Sequence, residues 1–200
     1  MTVSAATCAA GGNLIRWSWF RTHAEPPGLR PGDKLIVSWD TAMSAGELSD
    51  YSVCIVLQVR GESVYMLDVL RERLEFPALR RKVIEMHQRW RAASPNYSLL
   101  IENKGSGMSL VQDLRRDNIH AIPIEPAGDK IMRMNAQTAR IEAGQVSLPK
   151  RAPWLDEFRR ELMAFPAGRF DDQVDALSQG LSRVFDYRPP VAYIGRFTRC

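Results

Sequence analysis

The chain has 200 residues, which suits a single domain, and its 45% hydrophobic content is enough for a full core. No apolar run approaches the roughly 18 residues of a membrane span, and residues 1–12 lack the basic start and long apolar stretch of a signal peptide. The net charge of +4 is compatible with a polyanionic partner without requiring one, and three cysteines without a CxxC pair argue against a zinc site or disulfide framework. We therefore expect a soluble, cytoplasmic protein with no membrane partner.

The first third of the chain predicts an extension followed by three strands. Residues 1–32 are rich in Gly, Ala and Pro, so we expect a linker or N-terminal extension outside the core. Residues 35–39 form an apolar run that predicts the first strand. Residues 51–59 and 63–70 predict two further strands, and Gly61 between them indicates the tight turn of an antiparallel hairpin.

Helices and strands alternate beyond the hairpin. Apolar residues at helical spacing predict helices over residues 76–91, 108–117, 129–143, 153–165 and 171–184. Short apolar runs predict strands over residues 98–101 and 121–124 and a short extended piece over residues 146–148. This order predicts an α/β domain at residues 33–185, with a mixed five-stranded sheet flanked by helices on both faces, and a tail at residues 186–200.

Two acidic residues lie at the ends of predicted strands. Asp40 follows the first strand, and Glu102 ends the run that begins near residue 98. Carboxylates delivered to one end of a sheet make a site for hard divalent cations, which suits metal-assisted phosphodiester hydrolysis. We therefore expect Asp40 and Glu102 on adjacent strands. The alternatives are a turn or cap role for Asp40 and a solvent-facing strand end for Glu102.

A third acidic cluster opens the last predicted helix. At about 100° per residue, Asp171 and Asp175 lie close together on one flank of the apolar stripe, whereas Asp172 points elsewhere. Asp171 is therefore the better candidate for an inward-pointing ligand. Capping and the helix dipole explain one or two of these acids, but three acids in five residues are harder to explain in that way.

Asp175 and four other residues are candidates for supporting roles. Asp50 stands just before the second strand, where it could support a metal site or belong to a turn. Lys104, Lys130 and Arg133 lie in or after predicted loops and could contact phosphate, with solvated surface charge as the alternative for each. The sequence contains no GxxxxGK[ST] motif, so we expect no ATPase motor in this chain.

Six motifs occur in a fixed order along the chain. They are SWDTA (residues 38–42), SDYSV (49–53), LLIENKGSG (99–107), GDKIMRMNAQTARIEAGQVSLP (128–149), WLDEFRRELMAFP (154–166) and GRFDDQVDALSQ (168–179). In this order they resemble the C-terminal nuclease domain of tailed-phage terminase large subunits, which has a ribonuclease H-like fold. The resemblance runs from Lys34 to about Arg183, and the Asp-Asp-x-x-Asp-Ala pattern is its most specific part.

The resemblance implies cleavage of concatemeric viral DNA during packaging, by a mechanism that uses two Mg²⁺ or Mn²⁺ ions. It maps the acidic triad onto Asp40, Glu102 and Asp171, with Asp172 as a further metal ligand. The implied partner is double-stranded DNA, and a terminase small subunit, a portal and a separate ATPase domain are further candidates. The implied location is the cytoplasm of a bacterial host cell, with the gene carried by a phage or prophage.

The family's ATPase domain has no counterpart in this sequence, so we expect an excised domain or a shortened prophage gene. Two other functions remain open. A ribonuclease H-like Holliday-junction resolvase or transposase nuclease would use the same carboxylates, although the motifs at residues 154–166 and 171–176 fit it less well. An inactive prophage fragment would only bind DNA or a packaging partner.

Overall fold

The computed structural model describes residues 14–42 and 50–185. Within these ranges, seven strands form one mixed sheet: β1 (Arg21–His23), β2 (Lys34–Asp40), β3 (Ser52–Arg60), β4 (Ser63–Glu72), β5 (Tyr97–Glu102), β6 (Ala121–Ile124) and β7 (Val146–Pro149). The same ranges contain five α-helices: α1 (Phe76–Ala93), α2 (Ser106–Arg116), α3 (Lys130–Glu142), α4 (Leu155–Ala164) and α5 (Asp172–Phe185). The predicted tail and residues 1–13 of the predicted extension lie outside the described residues.

The sheet has the order β1-β7-β4-β3-β2-β5-β6. The strands β2, β3 and β4 are antiparallel neighbours, which confirms the predicted hairpin. The strands β5 and β6 continue the sheet in parallel beyond β2, and β7 and β1 do so beyond β4. The central strand β2 therefore has an antiparallel neighbour on one side and a parallel one on the other.

The side chains of the central strands alternate between two cores. On β3, Cys54 and Val56 pack with α1 and α2 on one face, whereas Ile55 and Leu57 pack with α3, α4 and α5 on the other. This follows from the two-residue period of a strand, and it makes both faces apolar because both are covered. The prediction of a mixed sheet with helices on both faces is confirmed. No helix within the described ranges is long and apolar enough to cross a membrane.

The predicted number of strands is wrong by two, and both additional strands lie at one end of the sheet. The strands β1 and β7 contain only three and four residues, and they pair with each other in parallel. Strands of this length contain too few residues to show an alternating pattern, so sequence periodicity does not identify them. The sequence indicated only a short extended piece at residues 146–148.

The segment before β1 is part of the core, contrary to the linker prediction. Ile15 is 1% exposed and Phe20 is 7% exposed. The Trp17 ring lies 6.4 Å from the ring of Phe158 on α4. Apolar burial of this kind stabilises a fold by roughly 25 cal/mol per Å². For residues 14–23, the expectation of a segment outside the core is therefore wrong.

The helix α5 packs very closely on the centre of the sheet. A Cβ atom on Gly180 would lie 2.9 Å from Leu57 Cδ1 and 3.4 Å from Ser38 Cβ. Only a residue without a side chain allows this approach. Ser38 also donates a hydrogen bond of 2.9 Å to the carbonyl of Ala176. The helix is thereby fixed against β2, the strand that ends at Asp40.

Candidate functional site: an acidic cleft at the strand ends

Asp40 and Glu102 are the last residues of two parallel neighbouring strands. Asp40 ends β2 and Glu102 ends β5, and the register pairs Trp39 with Ile101 just before them. Because parallel strands run in the same direction, their carboxyl ends meet at the same edge of the sheet. The predicted adjacency of the two strands is confirmed, and the two carboxylates are close enough to share a hydrogen bond.

The start of α2 holds together the two strand ends that carry these carboxylates. Ser106 Oγ donates a hydrogen bond of 2.7 Å to the carbonyl of Ala42 and lies 3.0 Å from Thr41 Oγ1. These contacts join the residues just beyond Asp40 to the residues just beyond Glu102. The GSG sequence is therefore a turn that opens a helix and connects the two acidic strand ends.

Gly107 lies at the closest point of this connection. A Cβ atom on it would lie 2.0 Å from the carbonyl oxygen of Glu102 and 3.2 Å from Thr41 Oγ1. We expect Gly107→Ala to lower the free energy of unfolding by about 1–3 kcal/mol or more, because the backbone of Glu102 must move. Thermal unfolding should show a melting temperature that is lower by at least about 2 °C. Gly28→Ala is the matched control, since a Cβ there has no atom within 4 Å, and an equal shift in both variants would contradict the explanation.

The third group of carboxylates is delivered by α5. Asp171 immediately precedes the helix, and Asp172 and Asp175 lie in its first turn. Gln179, one turn further on, donates hydrogen bonds of 2.9 Å to Ser38 Oγ and 3.1 Å to the carbonyl of Trp39. These bonds hold α5 to the end of β2. The acidic start of the helix therefore has a fixed position relative to Asp40.

The structure corrects the predicted orientation of Asp172. Asp172 is only 6% exposed, whereas the side chain of Asp171 is 25% exposed and forms an ion pair with Lys130. The prediction treated one stripe of α5 as its only buried face. The helix is in fact surrounded by the sheet, α3 and α4, so that its first turn is buried on more than one side. Asp172 therefore points inward, and of the two neighbouring acids it is the more enclosed.

One cavity of about 490 Å³ brings the candidate residues together. Its lining includes every residue that the sequence singled out for a catalytic, metal-binding or supporting role: Asp40, Asp50, Glu102, Lys104, Lys130, Arg133, Asp171, Asp172 and Asp175. We call this cavity the acidic cleft. These residues come from five separate parts of the chain, so their convergence results from the tertiary structure. Which of them act in a reaction remains a prediction.

Three carboxylates of the acidic cleft, those of Asp40, Asp172 and Asp175, are poorly stabilised as anions. Burial raises the pKa of Asp40 well above its usual range, and the charge of Glu102 and the hydrogen bond with it raise this pKa further. Burial also raises the pKa of Asp172 to about 7, although the backbone N–H of Tyr51 opposes this change. Burial raises the pKa of Asp175 too, against the effect of Arg133. The cluster therefore favours the uptake of protons or of cations.

Two basic side chains of α3 already neutralise part of this charge. Lys130 forms an ion pair with Asp171, and Arg133 Nη2 lies 2.7 Å from Asp175 Oδ1. The helix α3 begins at the cleft, where the carboxylate of its N-cap residue Asp129 accepts a 2.7 Å hydrogen bond from the backbone of Met132. Asp40, Glu102 and Asp172 have no such ion pair among the described residues. No ion pair within the described residues therefore balances their negative charge.

The donor set suits a hard divalent cation. The oxygen Asp172 Oδ2 is buried and accepts no hydrogen bond within the described part of the chain. No three Asp, Glu, His or Cys side chains of residues 14–42 and 50–185 lie close enough together to hold an ion as they stand. Mg²⁺, however, is commonly held by one or two carboxylates, with water and substrate phosphate as its other ligands. The neighbouring pair Asp40 and Glu102, or Asp172 with its unpartnered oxygen, therefore suits such an ion.

One buried acid near the cleft was not among the candidates that the sequence pattern indicated. Glu161 on α4 is 7% exposed and accepts hydrogen bonds from Gln173, the residue after Asp172. It lies three residues after Phe158, on the apolar side of its helix. A glutamate in an apolar stripe is seldom buried without a partner, and that signal could have identified it from the sequence.

Comparison with known proteins places the chain in a family. Residues 37–183 match the family model described as the terminase RNase H-like domain. A search of curated proteins finds no match to the sequence.

Several solved structures share the fold. The large terminase nuclease from thermophilic phage G20c, with bound magnesium, is 16% identical with a TM-score of 0.64, and the match covers 88% of this chain and 99% of that one. The nuclease domain of the Thermus phage P74-26 large terminase is 15% identical with a TM-score of 0.58, over 87% and 93% of the two chains.

The large terminase of another thermophilic bacteriophage, in complex with ADP, is 12% identical with a TM-score of 0.64 over 88% of this chain. The match spans only 44% of that ADP-bound terminase. At these identities the structures show a shared fold, while the family model covers most of the sequence. The chain therefore belongs to the terminase RNase H-like domain family.

Proposed function

We propose that this chain is the nuclease of a phage or prophage DNA-packaging terminase. It hydrolyses phosphodiester bonds in double-stranded DNA, and its substrate in the cell is concatemeric viral DNA. The observation that carries the proposal is the convergence of Asp40, Glu102, Asp171 and Asp172 on one cleft, in a member of a terminase nuclease family. The bound magnesium of the G20c nuclease is consistent with a divalent ion in this fold.

The acidic cleft supplies the ligands for the proposed Mg²⁺ or Mn²⁺ ions. Asp40 and Glu102 would hold them from the sheet, and Asp171 and Asp172 from the start of α5. Bound divalent ions would supply Lewis-acid stabilisation of the phosphate being cleaved. The resemblance implies two ions, which is compatible with carboxylates that approach from two sides.

The basic residues of the cleft have a second role in this proposal. Lys104, Lys130 and Arg133 line the same cavity as the carboxylates. Lys130 and Arg133 are held at the cleft by their ion pairs with Asp171 and Asp175, and bound cations would offset the acidic charge there and leave the two basic side chains able to contact phosphate oxygens. Contacts of this kind position DNA without reading its sequence. We therefore propose cleavage with little sequence preference.

The other parts of a packaging machine remain proposals for this chain. The ADP-bound large terminase described above is a longer protein, and the present chain matches less than half of it. We propose that ATP-driven translocation belongs to a separate ATPase domain, with a small subunit and a portal as further partners. The setting is the cytoplasm of a bacterial host cell.

Nicking of supercoiled plasmid tests the function. We expect the full chain to nick and linearise plasmid DNA with millimolar Mn²⁺ or Mg²⁺, to lose this activity in EDTA, and to show no ATP hydrolysis or ATP stimulation. Because phosphate contacts release counterions, DNA affinity should fall steeply with salt and vary little with sequence. A four-way junction should be cut no faster than linear duplex. Preference for the junction would favour a resolvase, DNA binding without cleavage would favour an inactive fragment, and cleavage without metal would contradict the proposed chemistry.

A further inference from the structure

The start of α5 is held by a buried glutamate from another helix. Glu161 on α4 accepts a hydrogen bond of 2.6 Å from the backbone N–H of Gln173 and one of 2.7 Å from Gln173 Nε2. The first backbone N–H groups of a helix have no partner within the helix, so an acceptor there fixes where the helix begins. Gln173 follows Asp172 directly, and Glu161 thus fixes the backbone that carries the acidic pair.

An arginine from the sheet holds this glutamate in place. Arg71 on β4 has its Nε 3.2 Å from Glu161 Oε2 and its Nη1 2.8 Å from Glu157 Oε1. Its guanidinium carbon lies 3.4 Å from the ring centroid of Tyr51, a residue that precedes β3. The ring centroid of Tyr51 lies 5.2 Å from that of Phe170, the residue before Asp171. Arg71 therefore connects the sheet and α4 to the chain on both sides of the acidic pair.

The charge of Glu161 is difficult to explain as capping alone. A serine, threonine or asparagine can cap a helix without a net charge. Glu161 instead places a further buried carboxylate near a cluster that already repels itself, and such a charge is costly unless it is paired. Arg71 offsets part of this cost through an ion pair of 3.2 Å with Glu161 Oε2, although its Nε donates no hydrogen bond within the described residues. The Arg71–Glu161 pair gives a rigid acceptor with two oxygens, which fixes both the backbone and the side chain of Gln173.

We propose that Glu161, held by Arg71, is a positioning residue that sets Asp171 and Asp172 at the acidic cleft in the geometry that binds divalent ions. The inference rests on the proposed function, because it assigns a role to residues around the same site. Glu161 does not line the cleft and is not itself a ligand. Its removal should change the affinity for the ion, whereas the fold should be affected less.

The chain provides a matched control on the same helix. Glu157 also pairs with Arg71, but its side chain is 52% exposed, and its hydrogen bond goes to Arg71 rather than to α5. Glu157→Gln removes a charge beside Arg71 and leaves the start of α5 untouched. Glu161→Gln keeps one oxygen that can accept from the backbone of Gln173, and Glu161→Ala keeps none. The three variants therefore separate the effect of the charge beside Arg71, the effect of the hydrogen bonds to Gln173, and the effect of the position of the glutamate on α4.

Calorimetric titration of the full chain with Mn²⁺, in the absence of DNA, is the principal test. Loss of groups that orient metal ligands typically costs about 10–100-fold in metal affinity. We expect a loss of that size for Glu161→Ala, a smaller one for Glu161→Gln, and less than about twofold for Glu157→Gln. The Mn²⁺ concentration for half-maximal plasmid nicking should shift in the same order. Melting temperatures in EDTA identify any variant that has lost its fold.

The outcomes distinguish this inference from the proposed function. If wild-type protein binds Mn²⁺ but cuts no DNA, the function is wrong and the calorimetric series still decides the role of Glu161. If Glu161→Gln and Glu157→Gln both bind Mn²⁺ as wild type does, the positioning role is wrong whatever the cleavage result. If the Glu161→Ala protein does not fold, the comparison of Glu161→Gln with Glu157→Gln still decides the question. A wild-type protein that binds no Mn²⁺ overturns both proposals.

Discussion

Replacing Asp40 with Asn is expected to reduce plasmid cleavage by about 10³-fold or more. Asp40 lies at the centre of the acidic cleft, where Glu102, Asp172 and Asp175 all act on its carboxyl group. Losing a ligand of the proposed ions removes several kcal/mol of transition-state stabilisation, and each 1.36 kcal/mol corresponds to about a tenfold change in rate. Glu102→Gln should have a similar effect. Initial nicking rates at saturating Mn²⁺ measure both.

The control for this experiment is an aspartate far from the cleft. Asp113 lies on α2, pairs with Arg116 and does not line the cavity. Asp113→Asn should cleave at the wild-type rate. The melting temperature of Asp40→Asn in EDTA should equal or exceed that of wild type, because the substitution removes a buried carboxyl group whose ionisation the folded protein disfavours. Full activity in Asp40→Asn would show that the acidic cleft is not the catalytic site.

Asp171 and Asp172 should be compared in the same assay. The sequence predicts that Asp171→Asn is the more harmful substitution, since the helical pattern points Asp172 away from the site. The structure buries Asp172 and pairs Asp171 with Lys130, so we expect Asp172→Asn to be at least as harmful as Asp171→Asn. A clearly milder effect of Asp172→Asn would restore Asp171 as the principal ligand.

The second large effect concerns the stability of the metal-free protein, which should fall as the pH rises from about 5 to 8. Burial raises the pKa of Asp172 from 3.8 to about 7, so the folded protein holds this proton more tightly than the unfolded chain does. A raised carboxyl pKa contributes stability that is complete below about pH 4 and is lost as the pH passes through 7. The shift corresponds to a loss on the order of 2–4 kcal/mol, equivalent to about 5–15 °C in melting temperature.

Melting curves in EDTA at pH 5.5 and 8, for wild type and Asp172→Asn, measure this effect. Burial lowers the pKa of His23 and His87, which makes stability rise with pH in the same range and opposes the carboxylates. Subtracting the melting temperature of the variant from that of wild type at each pH removes the contribution of the two histidines, which both proteins share. We expect this difference to fall with pH, and Mn²⁺ at pH 8 should restore the stability of wild type more than that of the variant. A difference that is independent of pH would falsify the assignment of Asp172 as a strained, proton-holding carboxylate.

Local patterns in the sequence were sufficient to predict the central elements. The hairpin of β3 and β4, the strand β5 and all five helices within the described residues were predicted within a few residues of their observed bounds. Apolar periodicity and turn residues act over about a dozen residues, and these elements are long enough to display them. The adjacency of Asp40 and Glu102 followed from the same information, because both residues end apolar strands of one sheet.

Other features depend on contacts that a local pattern does not contain. The strand β1 pairs with β7 through Arg21 and Ser147, which are far apart in the chain, and neither strand is long enough to be recognised alone. Ile15 and Phe20 are buried in the same core cluster as Phe158 and Leu162 of α4. Their Gly- and Pro-rich surroundings indicated a linker, and the tertiary contact overrode that local signal.

The acidic cleft shows the same division within a single site. Residue types and their order indicated which side chains belong to it, since all nine candidates, six acidic and three basic, line one cavity. The tertiary structure decided which of the two residues, Asp171 or Asp172, is the more buried. It also decided which glutamate accepts hydrogen bonds at the start of α5. A helical wheel assumes one buried face, whereas α5 is enclosed by the sheet, α3 and α4, and Glu161 reaches it from a separate helix. Burial and electrostatics depend on everything that surrounds a residue, and only the folded chain brings those partners together.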